Sequence, residues 1–313
     1  MIDRLPDLPD LPDSHLRLRV PMVLSGKASG LAALYDGAVR AHPEMPLEPL
    51  SSFRTLQAGA LDRGVPAMAL VTMPKSGSLY LRMRFVEGLN IPPCHVSLDL
   101  FPHDHLVPAW AEDLARGGAI AQEHLDASEA ILDLFHRAGV TRIVVHIRDP
   151  RQAALSWMYH IDGTTGERTS VRRLMSPAVP ADWKAIELGD RLDWTIANHL
   201  PALIEWTAGW VRAAGRGSPP LEIMVTRFED FRMVTRFEDF RTGEDAFCRS
   251  ILDHYGIGDM AMNMHPLASS DGALDRRKGE ADEWRSVFSA AQLARTSAML
   301  PADLCKRFGW APL

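Results

Sequence analysis

From Thr72 to Tyr80 the chain reads Thr-Met-Pro-Lys-Ser-Gly-Ser-Leu-Tyr. Lys75 brings a full positive charge, Ser76 and Ser78 bring hydroxyl donors, and Gly77 lets backbone N–H groups approach an anion closely. A second group, Arg148-Asp149-Pro150-Arg151, is followed by Ser156, eight positions after Arg148. An arginine and a serine at that spacing can clasp a phosphate between guanidinium and hydroxyl. The third group is Arg276-Arg277-Lys278-Gly279, with Trp284 and Phe288 beyond it. Seen singly, each group has a structural alternative. The first can be an ordinary strand–helix connection, the second a helix cap with a surface ion pair, and the third a solvated charge run.

The elements around these residues make the anion reading stronger. Residues 66–73 form a continuous apolar run, as in a strand buried on both faces. Leu81, Phe85, Val86 and Leu89 then fall at helical spacing. Strand, tight loop and helix together aim the helix N-terminus, with its positive dipole end, at the loop. Residues 119–123 and 142–147 read as further strands separated by a helix over 127–138, and 221–226 as another strand. This alternation predicts an α/β domain with a mainly parallel central sheet flanked by helices. Arg148 then falls at the C-terminal edge of a strand, where open parallel sheets bind ligands. Residues 192–213 read as helical, with Pro201 either kinking one helix or starting a second.

Composition limits the choices. With 313 residues, 46% of them hydrophobic, the chain is large enough for a sizeable core. The formal charge of −6 argues against a nucleic-acid or anionic-membrane partner, so an anion site must be local. Cys94, Cys248 and Cys305 lack disulfide or zinc spacing, and no apolar segment approaches the roughly 18 residues a membrane span needs. A cytoplasmic location is expected. Residues 1–66, opening with three Leu-Pro-Asp triplets, read as an N-terminal extension (1–15 flexible) before a domain over 67–313. His103 and His105, with His95 nearby, lack the partners of a metal site, and no metal is expected. Trp157, Trp183, Trp194, Trp206 and Trp210 are expected to pack the core. Residues 224–232 recur unchanged at 233–241, so one copy is expected to continue a strand and the other to add a loop or helical turn.

Taken in order, the three groups resemble the signatures of sulfotransferases that use 3′-phosphoadenosine 5′-phosphosulfate (PAPS). Residues 72–80 are similar to that family's TYPKSGTTW, Arg148 and Ser156 to its Arg/Ser pair, and Arg277-Lys278-Gly279 with Trp284 and Phe288 to its RKGxxGDWK and following phenylalanine. The resemblance implies the family's P-loop-like fold and sulfuryl transfer to the hydroxyl or amine of a small-molecule acceptor. Lys75, Ser76, Gly77 and Ser78 would hold the 5′-phosphosulfate, and Arg148, Ser156, Arg277, Lys278 and Gly279 the 3′-phosphate. Leu79 and Tyr80 replace a hydroxyl residue and a tryptophan of the signature. Phe228 or Phe237 stands where the family has a tyrosine beside adenine. His124 matches the family's Lys-x-His-Leu-Pro histidine and is the candidate base, with Glu123 its rival, and Lys75 would stabilise the leaving group. A nucleotide-binding protein without turnover is the alternative. A kinase is disfavoured, because the loop lacks the Walker glycine.

Overall fold

The computed structural model describes residues 50–97, 105–164, 179–216, 221–232, 237–265 and 282–310. Five strands form one sheet: β1 (Ala67–Thr72), β2 (Pro93–Cys94), β3 (Ala119–Glu123), β4 (Arg142–Ile147) and β5 (Glu222–Arg227). Their order is β2-β3-β1-β4-β5, and every pairing is parallel. The expected α/β class therefore holds. Val-, Ile- and Ala-rich strands suit this placement because helices cover both faces and leave no polar side. β2 has two residues, too few to leave an apolar run in the sequence.

The helices are α1 (Leu50–Asp62), α2 (Ser78–Leu89), α3 (Pro108–Ala115), α4 (Glu129–Ala138), α5 (Pro150–Thr164), α6 (Leu188–Asn198), α7 (Leu200–Gly215), α8 (Phe228–Arg232), α9 (Phe237–His254), α10 (Trp284–Val287), α11 (Ala290–Met299) and α12 (Ala302–Phe308). One face of the sheet buries Met68, Leu70, Ile120 and Val144 against α2 and α9 through Leu81, Phe85, Phe247 and Ile251. The other face buries Ala69, Val71, Ala121 and Val145 with Trp110, Leu155, Leu203 and Trp210. These alternate strand residues point to opposite sides, as the pleat requires.

Local chemistry sets the helix limits. Ser128 caps α4 by accepting the Ile131 N–H, and Gly139, at φ 91°, ends it in the left-handed conformation. Pro201 lies in the first turn of α7, so it starts a second helix instead of kinking one. Although α1 lies in the stretch that the sequence sets apart as an extension, it packs into the domain core. Phe53 is buried with the sheet, Arg54 pairs with Asp113 at 3.1 Å, and Gln57 Nε2 donates to the Gly117 carbonyl at 3.0 Å. The first copy of the repeated nonapeptide supplies the end of β5 and then α8. In the second copy, residues 237–241 begin α9, and residues 233–236 lie outside the described residues.

Candidate functional site

The C-terminal ends of β1, β3, β4 and β5 lie along one edge of the sheet, and the loops of interest leave from it. After β1 the chain turns sharply. Lys75 has φ 64° and Gly77 φ 82°. A left-handed residue with a Cβ costs roughly 1–2 kcal/mol, so Lys75 holds a conformation its surroundings must enforce. Several of those restraints are visible. The Ser76 hydroxyl donates to the Met73 carbonyl at 2.7 Å, the Met73 N–H donates to the His146 carbonyl at 2.8 Å, and His146 Nε2 lies 3.1 Å from the Ser76 carbonyl. Burial lowers the His146 pKa to about 4, so the ring is neutral and donates that bond, while its Nδ1 meets the Thr226 hydroxyl at 2.9 Å. Ser76 itself is fully buried.

Gly77 caps α2 with no side-chain hydrogen bond. The cap thus supplies no side-chain acceptor to the first-turn N–H groups, which are those a helix cannot bond internally. A Cβ at Gly77 would come within 3.0 Å of the Phe228 ring. Phe228, the first residue after β5, is buried and forms a wall of the turn. The Arg148 guanidinium lies over the same ring at 4.0 Å and donates from Nη1 to the Lys75 carbonyl at 2.9 Å. The structure therefore brings Lys75, Gly77, Arg148 and Phe228 into one cluster. Arg148 is buried against the lysine turn.

Beyond Arg148, Asp149 starts α5 by accepting the Arg151 N–H at 2.9 Å, and it also pairs with the Arg151 guanidinium at 2.7 Å. Arg151 lies over Trp284 at 3.8 Å, and the Trp284 N–H donates to Gln152 Oε1 at 3.1 Å. Ser156, partly buried, is one turn past Gln152 on α5. Trp284, five residues past the third basic group, is thus docked beside the second group. Arg277, Lys278 and Gly279 lie outside the described residues, as does His103, and nothing is described of the Phe237 side chain. Leu79 and Tyr80 lie in the first turn of α2, with the Tyr80 hydroxyl donating to Glu244 at 2.9 Å.

At the end of β3, Glu123 and His124 have different surroundings. Glu123 is buried. His95 Nδ1 (2.7 Å) and the Val96 N–H (2.8 Å) donate to one oxygen, and the Ser97 hydroxyl (2.7 Å) donates to the other. Burial pushes the Glu123 pKa up, but the His95 ring and these hydrogen bonds outweigh it and leave the carboxyl below its usual range. His95 is thus engaged with this acid. Among the described residues, no cluster of three or more His, Cys, Asp or Glu could hold a metal ion.

His124 lies against β1. Its Nδ1 is 2.6 Å from the Thr72 carbonyl, an acceptor only, so that nitrogen carries a proton, and in the neutral ring the lone pair falls on Nε2. Gln122 Nε2 donates to the Thr72 hydroxyl at 2.9 Å, which steadies the same strand end. Trp206 and Trp210 both donate to the Leu125 carbonyl, at 2.8 and 2.9 Å, and fix the chain just past the histidine. These two tryptophans pack the core and also brace the site.

Sequence reading does not single out His146, Thr72 or Gln122 as supports, nor the Arg84–Glu244 pair that ties α2 to α9 at 2.6 Å. The position of His146 near the end of β4, two residues before the candidate site residue Arg148, is the one sequence signal pointing to it.

No family model and no curated protein sequence matches the chain. Among solved structures, the chain is similar to the mouse sulfotransferase SULT7A1 complexed with PAP, at 15% identity and a TM-score of 0.45. That likeness covers 82% of this chain and 93% of that chain.

Proposed function

We propose that the protein is a sulfotransferase that moves a sulfuryl group from PAPS to the hydroxyl or amine of a small acceptor, releasing adenosine 3′,5′-bisphosphate. The observation that carries this reading is the bond from His124 to Thr72. It anchors the ring on the strand that leads, three residues later, into the lysine turn, and in the neutral ring it assigns the lone pair to Nε2. A proton acceptor and an anion cradle are thereby hung from one strand end.

The residues present fit a phosphosulfate. Gly77 leaves the first turn of α2 with no side-chain acceptor, and the space beside its Cα is walled by Phe228. Lys75, Ser76, Gly77 and Ser78 would hold the 5′ end, through backbone N–H groups, the Ser78 hydroxyl and the lysine charge. Arg148 and Ser156, with Arg277, Lys278 and Gly279, would hold the 3′-phosphate, and Phe228 would line the base. PAPS supplies an activated sulfuryl group joined to phosphate through an anhydride oxygen. His124 Nε2 takes the proton of the acceptor O–H or N–H as the new bond to sulfur forms. Lys75 offsets the negative charge that gathers on the oxygen left behind. Glu123, with every described contact to its carboxylate a donor and its pKa held low, is the poorer base.

Two measurements test the reading. Adenosine 3′,5′-bisphosphate is expected to raise the melting temperature where ATP at equal concentration does not, and label from PAPS is expected to pass to an acceptor. Lys75→Ala and His124→Ala should each lower kcat by roughly 100-fold or more, in the range of lost general-base or charge-stabilising groups. Arg148→Ala should instead raise the KM for PAPS. Adenosine 3′,5′-bisphosphate without effect on melting would sink the proposal. The second reading, a nucleotide binder without turnover, draws on Arg148 being engaged with the Lys75 carbonyl, and would show as binding with no label transfer.

A further inference from the structure

His146 and Arg148 stand two residues apart at the end of β4 and hold consecutive carbonyls of the lysine turn. Arg148 donates to that of Lys75 at 2.9 Å, and His146 meets that of Ser76 at 3.1 Å. A carbonyl oxygen only accepts, so His146 Nε2 carries a proton. Burial keeps the ring neutral, which leaves the lone pair on Nδ1 to accept from the Thr226 hydroxyl at 2.9 Å. The Phe247 ring meets the imidazole edge-on at 5.9 Å, and the histidine is sealed from water. A directed chain of hydrogen bonds therefore runs from Thr226 on β5, through His146, to Ser76 in the turn. Ser76 and Gly77 share a planar trans peptide, whose C=O and N–H point opposite ways. Holding the Ser76 carbonyl on His146 thus aims the Gly77 N–H away from β4. Among the described residues that N–H has no acceptor. Glycine offers little resistance to a flip of this peptide plane, which would put a carbonyl where the N–H now points.

We infer that His146 is a positioning residue for donor binding: it locks the Ser76–Gly77 peptide so that the Gly77 N–H faces the 5′-phosphate of the nucleotide. This rests on the sulfuryl-transfer reading and deepens it, tracing the polarity of the anion turn to a side chain of the sheet. An N–H aimed at a phosphate makes a charge-assisted hydrogen bond, whereas a carbonyl turned the same way repels it. If the ring served only to satisfy a buried carbonyl, its loss would weaken the fold without regard to which phosphates the nucleotide carries.

The test compares the binding of adenosine 3′,5′-bisphosphate with that of adenosine 3′-monophosphate, which lacks the 5′-phosphate. Both are measured on the full chain by calorimetry, the weaker ligand by displacement. The wild-type protein is expected to prefer the bisphosphate. His146→Leu should lose roughly ten-fold or more of that preference, while its affinity for the monophosphate stays within about two-fold of wild type. His146→Gln, whose amide N–H can take the place of Nε2–H, should recover most of the loss. Equal weakening of both nucleotides in His146→Leu overturns the inference, and so does an unchanged preference. His146→Gln no better than His146→Leu counts against it equally, as does a wild-type protein that binds the two nucleotides alike. Should His146→Leu fail to fold, His146→Asn decides the matter: its amide can meet Thr226 but is too short for Ser76, so the preference should fall as far. A wild-type protein that binds neither nucleotide sinks the sulfuryl-transfer reading itself.

Discussion

At position 77 the absence of a side chain lets the lysine turn close against Phe228. Gly77 combines φ 82° with a Phe228 ring that an added Cβ would meet at 3.0 and 3.1 Å. Gly77→Ala should therefore cost roughly 1–3 kcal/mol in urea unfolding, from left-handed strain and a displaced ring together. Made in a Phe228→Ala background, the same Gly77→Ala change should cost only the strain, because the ring it would displace is gone. Unchanged stability in Gly77→Ala would contradict the described turn. At this scale, much of the lysine turn is legible from sequence, because its parts are consecutive and their spacing alone suggests a cradle. His146 is not, because its value comes from Ser76 and Thr226, which only the folded sheet brings to its two ring nitrogens. Nor does the order of residues reveal how Glu123 and His124 differ. One is surrounded by donors from 95–97, and the other is turned onto Thr72.

Between elements, the junction of α2 and α9 has the most at stake. Arg84 Nε donates to Glu244 at 2.6 Å with both side chains buried, Arg84 Nη1 donates to the His265 carbonyl at 2.7 Å, and Arg84 Nη2 donates to the Tyr80 hydroxyl at 2.8 Å. Breaking a buried pair from one side leaves the other charge stranded. Arg84→Met is therefore expected to lose about 3 kcal/mol or more, and Arg84→Met with Glu244→Leu to lose less than Arg84→Met alone, as measured by denaturant midpoints. A double variant worse than the single one would count against the pair. Strands β1, β3, β4 and β5 are visible in the sequence as short apolar runs between turn residues. β2 is not, since two residues make no pattern. α1 hides for another reason. It follows a proline-rich stretch that reads as a tail, and what draws Phe53 and Gln57 into the domain are partners far along the chain, among them Gly117.

For the molecule as a whole, two buried histidines set how stability depends on pH. His146 and His199 are each held near pKa 4 by burial, so the folded chain refuses protons that the unfolded chain takes up below about 6.5. Each contributes stability that is present above pH 6.5 and lost as pH falls toward 4, up to roughly 3 kcal/mol apiece. Among the described residues His199 Nε2 has no hydrogen-bond partner, and its ring packs against Trp157 and Trp194 at 5.7 and 5.2 Å. His199→Phe should leave stability at pH 7.5 nearly unchanged and flatten the decline between pH 6 and 4.5 in urea titrations. An unaltered slope would mean that another group governs acid unfolding. The α/β class is legible at this scale because strand and helix patterns alternate through the chain. The order of the strands is not, since residue periodicity says nothing about which neighbours pair.

That order has a consequence for biosynthesis. β1 lies between β3 and β4, so the turn after it gains its flanking strands only when residues as late as Ile147 have emerged, and Phe228 arrives later still. Such distant pairing delays closure relative to local helix formation. A nascent chain carrying Lys75 alone has the charge without the enclosure, so translation must run most of its course before the walls of the turn are in place.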